Sequence, residues 1–295
     1  MSGASAGTLS ISEAASAARR DLGGCWSRVR GRRGGAPRYS LFLPARLRED
    51  RPLLVAVHGI SRNAGEHARR FARHAAEYGA AVLAPRFGRR RFPDYQRLGR
   101  AGRGDRADLA LLELIEEVRD GTGVGGGAIY LFGFSGGAQF AHRFSFAYPE
   151  RVARMAVAAA GWYTFPDPGR AFPRGVGSSG RPAGVRFSLP DFLRIPTLVL
   201  VGEEDTERDS ELRQTRRLDL TQGRNRVERA QRWVAELQRA ADRLGLAASV
   251  ELDLLPGSDH SFTRCDRRGD LTRRVCEFFF APQSVEMPTV LRALP

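Results

Sequence analysis

The sequence predicts an α/β fold: a mostly parallel central sheet with helices on both faces and no large lid domain. Three observations predict it. Short, continuously apolar runs, such as residues 53–57 and 197–201, recur along the chain as expected of strands covered on both faces. Segments of helical length stand between them almost without exception, and that alternation calls for parallel strands joined by helical crossovers. The 295 residues, 42% of them hydrophobic and without internal repeat, suffice for one large domain around a substantial core.

Residues 1–36 read as a poorly ordered N-terminal arm, rich in small residues and ending in a Gly-Arg-rich 30–35 that buries little apolar surface. The compact domain spans 37–281, and 282–295 read as a C-terminal tail. Within the domain, residues 39–44 are strand-like, and the stronger strand at 53–57 ends in His58-Gly59-Ile60-Ser61-Arg62-Asn63. A helix over 65–78, a strand at 81–84 and an Arg-rich loop to residue 106 follow. The amphipathic helix expected over 105–118 spaces Leu109, Leu112, Ile115 and Val118 for one buried face. A glycine-rich 121–127 leads into a strand that stops at Gly133, and residues 136–148 read as the next helix. A strand at 152–159, a Pro- and Gly-rich connection over 166–190 and a strand at 197–201 come next. A long helix over 226–244, a strand at 249–255 and a closing helix over 270–280 complete the order.

All 47 basic residues are arginine, and the formal charge is +14. A basic balance in general suits nucleic acid, anionic membrane or an acidic substrate. Here the arginines are spread over the whole chain, with arginine standing in for lysine throughout, so a solvated basic surface is expected and no nucleic-acid partner. No apolar run approaches the length of a membrane span, so no membrane partner is expected either. The N-terminal residues lack the apolar core of a signal peptide. Cys25, Cys265 and Cys276 form an odd set without metal-ligand spacing, which fits a reducing compartment. The expected location is therefore cytoplasmic, and neither a metal nor a cofactor is expected. Nothing in the sequence addresses the oligomeric state.

The chemistry centres on Ser135, set between Gly133 and Gly137 in a G-x-S-x-G pattern where a strand turns at once into a helix. Such a turn has no room for flanking side chains and thrusts the serine Oγ above the sheet edge. A serine hydroxyl needs a base within hydrogen-bond reach, and histidine suits it. Of five histidines, His67 and His74 lie among arginines on a helix and read as surface residues. His142 lies two turns beyond Ser135, and His58 braces the loop after its strand. His260, in the loop between the last strand and the last helix, is the candidate base, with Asp259 shaping that loop. The acid that fixes the base must come from elsewhere, and the segment after the 197–201 strand offers Glu204, Asp205, Glu207 and Asp209. Two backbone N–H groups, of Gly136 and of Ile60, are the candidate oxyanion donors, while Ser61 or Asn63 is placed to cap the helix that follows. Trp162 and Tyr163 follow a strand and are candidates to wall a substrate pocket, core packing being the alternative. The Arg-rich loop 86–106 belongs near the rim, either solvated or holding a substrate anion.

The order of nucleophile, acid and base, the Gly133–Gly137 elbow and the His58-Gly59 loop together resemble the α/β-hydrolase superfamily over residues 38–280. The 58–63 loop and the helix after Ser135 are further similar to the poly(3-hydroxybutyrate) depolymerase and feruloyl esterase-like group. The resemblance implies Asp205 as the acid, because related enzymes carry it just after a tight glycine turn. It implies a serine esterase working through an acyl-enzyme on a small-molecule carboxylic ester. A peptidase, thioesterase or acyltransferase would use the same groups, and a non-catalytic basic binding protein on a hydrolase scaffold is a third reading.

Overall fold

Eight strands form one sheet: β1 (Cys25–Arg30), β2 (Arg38–Leu43), β3 (Leu54–Val57), β4 (Val82–Arg86), β5 (Ile129–Phe134), β6 (Val152–Ala158), β7 (Thr197–Gly202) and β8 (Val250–Leu255). The computed structural model describes residues 25–30, 36–124 and 126–281, the first stretch by its backbone alone. The strands lie in the order β1-β2-β4-β3-β5-β6-β7-β8. β1, β2 and β4 pair antiparallel, and every pair from β4 onward is parallel.

β1 occupies part of the stretch expected to be a poorly ordered arm. Its six residues pair along the whole length of β2, from Cys25 opposite Leu43 to Arg30 opposite Arg38. Backbone pairing on a sheet edge needs no apolar periodicity, so the sequence carries no signal for it. Residues 1–24 and 31–35 of the expected arm, and the expected tail, lie outside the described residues.

Successive side chains of a strand point to opposite faces, and this alternation builds two cores. On one face Val55, Val57, Leu131, Val157 and Val199 pack beneath α2 (Ala107–Thr122), α3 (Gly136–Ala147), α4 (Leu189–Leu193) and α6 (Arg226–Arg243). On the other, Leu54, Ala56, Phe132, Ala156 and Leu200 pack beneath α1 (Ala64–Glu77), α7 (Phe262–Gly269) and α8 (Leu271–Phe280). α5 (Arg216–Thr221) is a short turn ahead of α6.

One local expectation is corrected. In α2 the buried face is Ala110, Leu111, Leu114, Ile115 and Val118, while Leu109 is exposed and Leu112 half-buried. Both stripes have helical spacing, but the second is wider and more apolar, and the wider stripe takes the core. The closing helix stands where expected, at Leu271–Phe280, but a further helix, α7, precedes it, and the two meet at Asp270, whose φ of 52° lies in the left-handed region. The connection from β6 to β7 contains two isolated β-bridges and no lid domain among the described residues. No helix among them is long and apolar enough to cross a membrane.

Candidate active site

β5 lies in the middle of the sheet, with Gly133 in register with Val57 on one side and Val157 on the other. At its end Ser135 is bent to φ 52° and ψ −112°, a region costly for any residue with a Cβ. The turn is held by the Ser135 N–H donating to the Ala158 carbonyl at 2.8 Å and the Gln139 N–H donating to the Ser135 carbonyl at 3.2 Å. Glycine is required on both sides: a Cβ at Gly133 would overlap the Gly137 carbonyl, and one at Gly137 would overlap that of Val57. The side chain of Ser135 consequently stands at the carboxyl edge of the sheet, as its sequence context implies.

The loops after β7 and β8 bring two more groups to this edge. His260 Nε2 lies 3.0 Å from Ser135 Oγ, and His260 Nδ1 lies 2.8 Å from Asp205 Oδ2. A carboxylate only accepts, so Nδ1 carries the proton and Nε2 is left to accept from the serine. The imidazole also stacks on Phe134, centroid to centroid 5.6 Å. Among the acids left open by the sequence, Asp205 is the one that meets the histidine. Glu204 and Glu207 are exposed, and Asp209 pairs with Arg226. The glycine turn explains the choice. A Cβ at Gly202 would overlap the Ser258 carbonyl, so only glycine lets the two loops touch. They are then tied by the Glu204 N–H donating to that same carbonyl at 2.9 Å.

The sequence gives no sign of Arg226. Its guanidinium is buried and donates to Asp205 Oδ1 at 3.1 Å and to Asp209 Oδ2 at 2.9 Å. The second oxygen of Asp205 is therefore occupied, and the carboxylate cannot swing away from His260. A buried guanidinium needs such partners, since its desolvation is otherwise uncompensated.

A cleft of about 470 Å³ opens over Ser135 and is lined by Ile60, His67, Arg89, Glu211 and His260 among others. Gly136 opens α3, where the N–H groups have no intrahelical acceptor. Ile60 stands beside it, its Cγ2 3.1 Å from where a Gly136 Cβ would lie. Asn63 occupies the N-cap position of α1 but makes no capping bond; it donates to Glu66 Oε2 at 2.6 Å and accepts from Ser61 Oγ at 2.9 Å.

The remaining histidines divide. His58 braces its loop as expected: Nδ1 donates to the Gly59 carbonyl at 2.8 Å and Nε2 accepts from the Phe87 N–H at 3.0 Å. Burial pushes its pKa down to about 4. His142 is locked the same way, between the Ala138 carbonyl and the Thr164 N–H. His67 is not a surface residue. It is buried beside the cleft and stacks on Phe262 at 3.8 Å, because α1 turns this face toward β5 rather than toward solvent. His74 is the outer one, 3.6 Å from Glu77.

Tyr163 does not wall the cleft. It is fully buried and stacks on Trp233 at 4.4 Å, because the chain leaving β6 turns down over α3 and α6. Trp162 lines a separate, smaller pocket rather than the Ser135 cleft. In the Arg-rich loop Arg91 and Arg103 pair with Asp105 and Asp94 of the same loop and Arg106 with Asp108 of α2, while Arg89 reaches the cleft. Among the described residues no group of three or more His, Cys, Asp or Glu could hold a metal ion.

Residues 38–165 match the family described as esterase PHB depolymerase. No curated protein matches the sequence. Among solved structures, poly(aspartic acid) hydrolase-1 from Sphingomonas sp. KT-1 is similar with a TM-score of 0.72 and 24% identity, over 88% of this chain and 99% of that one. A poly(3-hydroxybutyrate) depolymerase from Bordetella parapertussis is similar with a TM-score of 0.70 and 24% identity, over 91% and 92%. An S-formylglutathione hydrolase from Agrobacterium tumefaciens is more distant, with a TM-score of 0.54 and 15% identity over 88% and 97%. These likenesses show the α/β-hydrolase fold, and the esterase match over residues 38–165 makes the chain similar to the poly(3-hydroxybutyrate) depolymerase group.

Proposed function

We propose that the protein hydrolyses a small or medium carboxylic ester with Ser135 as nucleophile, His260 as base and Asp205 as the acid behind it. The observation that carries this reading is the unbroken row from Ser135 Oγ through the imidazole to Asp205 Oδ2, with contacts of 3.0 and 2.8 Å. His260 takes the hydroxyl proton as Oγ attacks the ester carbonyl carbon, and Asp205 stabilises the imidazolium that forms. The N–H groups of Gly136 and Ile60 receive the negative oxygen, a pair of donors of which each contributes about 3 kcal/mol to lowering the barrier. The imidazolium then gives its proton to the departing alcohol, leaving an acyl group on Ser135. Water, deprotonated by the same histidine, releases the acid and restores the serine.

Hydrolysis of p-nitrophenyl butyrate and labelling by a fluorophosphonate test the reading. Ser135→Ala is expected to abolish labelling and lower kcat by roughly six orders of magnitude, while substrate is still bound. Wild-type protein inert to both reagents overturns it. The likeness to a poly(aspartic acid) hydrolase favours a second reading, an amide as the bond cleaved by the same groups. Matched p-nitrophenyl ester and p-nitroanilide substrates separate the two.

A further inference from the structure

The smaller pocket, about 170 Å³, is lined by Trp162 and by three arginines, Arg97, Arg174 and Arg213. The guanidinium carbons of Arg97 and Arg213 lie 5.9 and 5.8 Å from the indole centroid. A fourth, that of Arg143, packs against the same ring at 4.3 Å. Arg143 is fully buried. It donates to Thr164 Oγ1, the Gln96 carbonyl and Gln139 Oε1, and its Nη2 has no partner.

No described carboxylate lies within ion-pair distance of any of these four arginines; Arg174 and Arg213 are exposed, Arg97 is half-buried, and Arg143 is fully buried yet lacks the acidic partners that the other fully buried guanidiniums have. Arg226 has Asp205 and Asp209, and Arg229 has Asp219. Three cations around one ring, with Arg174 beside them in the pocket wall, repel one another. Burial first, then Arg213, Arg100 and Arg174, push the Arg97 pKa down, and Asp94 acts in the other direction while it faces Arg103. A cluster with this charge and no internal counterion is built to receive an anion.

The pocket adjoins the Ser135 cleft. Its walls come from the loops after β4, β6 and β7, at the same carboxyl edge of the sheet. Glu211 lines the cleft and Arg213, two residues on, lines the pocket. Gln96, next to Arg97, has its Nε2 2.7 Å from where a Gly136 Cβ would lie. The pocket is thus on the Gly136 side of the serine, whereas His260 stacks over Phe134. The departing alcohol takes its proton from His260, so the acyl part of the substrate is left on the pocket side.

We infer that this pocket binds a carboxylate at the far end of the acyl chain, so that the preferred substrates are half-esters of dicarboxylic acids. The inference rests on the proposed hydrolase reading. Planar guanidiniums pair with carboxylates two bonds at a time, and Trp162, Pro173 and Leu218 offer apolar cover to a short methylene chain.

The test compares p-nitrophenyl half-esters from succinate to suberate with amide-capped analogues of the same lengths. At the best length kcat/KM is expected to favour the carboxylate by roughly tenfold or more. That ratio is expected to fall toward one in Arg213→Gln and Arg174→Gln. Arg48→Gln, an exposed arginine paired with Asp50 ahead of β3, removes the same charge at the opposite edge and is expected to keep it. No preference at any length, or an equal loss in Arg48→Gln, overturns the inference while leaving ester hydrolysis intact. Free glutarate read by Trp162 fluorescence reports on the pocket even if no ester is cleaved. Saturable binding lost in Arg213→Gln supports it; no binding, or tighter binding of inorganic phosphate, overturns it.

Discussion

Arg226 holds the position of Asp205 from behind. It reaches Asp205 and Asp209 together, so replacing it leaves two acids near the site without their shared cation. Arg226→Met is expected to destabilise the protein by about 3 kcal/mol, because a buried ion pair that loses one partner leaves an uncompensated charge. Thermal unfolding reads this as a fall of roughly 5 °C in Tm. With Asp205 free to turn, kcat for p-nitrophenyl butyrate should drop while KM stays near its wild-type value. Arg226→Lys should recover part of the stability and less of the rate, since one ammonium cannot reproduce a planar fork. Equal kcat in wild type and Arg226→Met would show that Asp205 needs no such support.

At the scale of elements, tight turns at the ends of β5 and β7 bring the site together. Gly137 lets α3 start against β3, and Gly202 lets the loop of Asp205 lie against that of His260. Gly137→Ala forces its new methyl into the Val57 carbonyl and is expected to cost about 3 kcal/mol or more. Gly202→Ala should act more locally, spreading the two loops and lowering kcat with a smaller change in denaturant midpoint. Gly126, where a Cβ would meet nothing within 4 Å, is the control, and its alanine variant should match wild type in both measurements.

Across the whole molecule, three histidines are buried in neutral form on both faces of the sheet. Burial is the first cause that lowers the pKa of His58, to about 4, and of His67 and His142 well below the ordinary value. The folded state therefore binds fewer protons than the unfolded chain below the ordinary histidine pKa. The stability that these groups contribute is present above about pH 6.5 and is lost as pH falls toward 4. His58 alone accounts for about 3 kcal/mol over that interval. Protonating its Nε2 would also break the bond from the Phe87 N–H. Urea midpoints at pH 7 and pH 4.5 check this; an unchanged midpoint contradicts it.

The sequence by itself determined the strand–helix alternation, the parallel core of the sheet and the Ser135 turn, because these depend on local periodicity and on steric demands that glycine alone satisfies. It narrowed the base to one histidine by its place after the last strand. It left four acids in one loop, because consecutive carboxylates look alike until packing buries one of them. The resemblance pointed to Asp205, and the tertiary structure adds the physical reason, the contact between the loops at Gly202 and Ser258 and the guanidinium of Arg226 behind it. The tertiary structure also buried His67 and Tyr163 and gathered three arginines, from the helix and loops that follow β4, β5 and β7, around Trp162. These outcomes depend on pairs of residues far apart in the chain, and a one-dimensional pattern holds no record of which distant partner a side chain will meet.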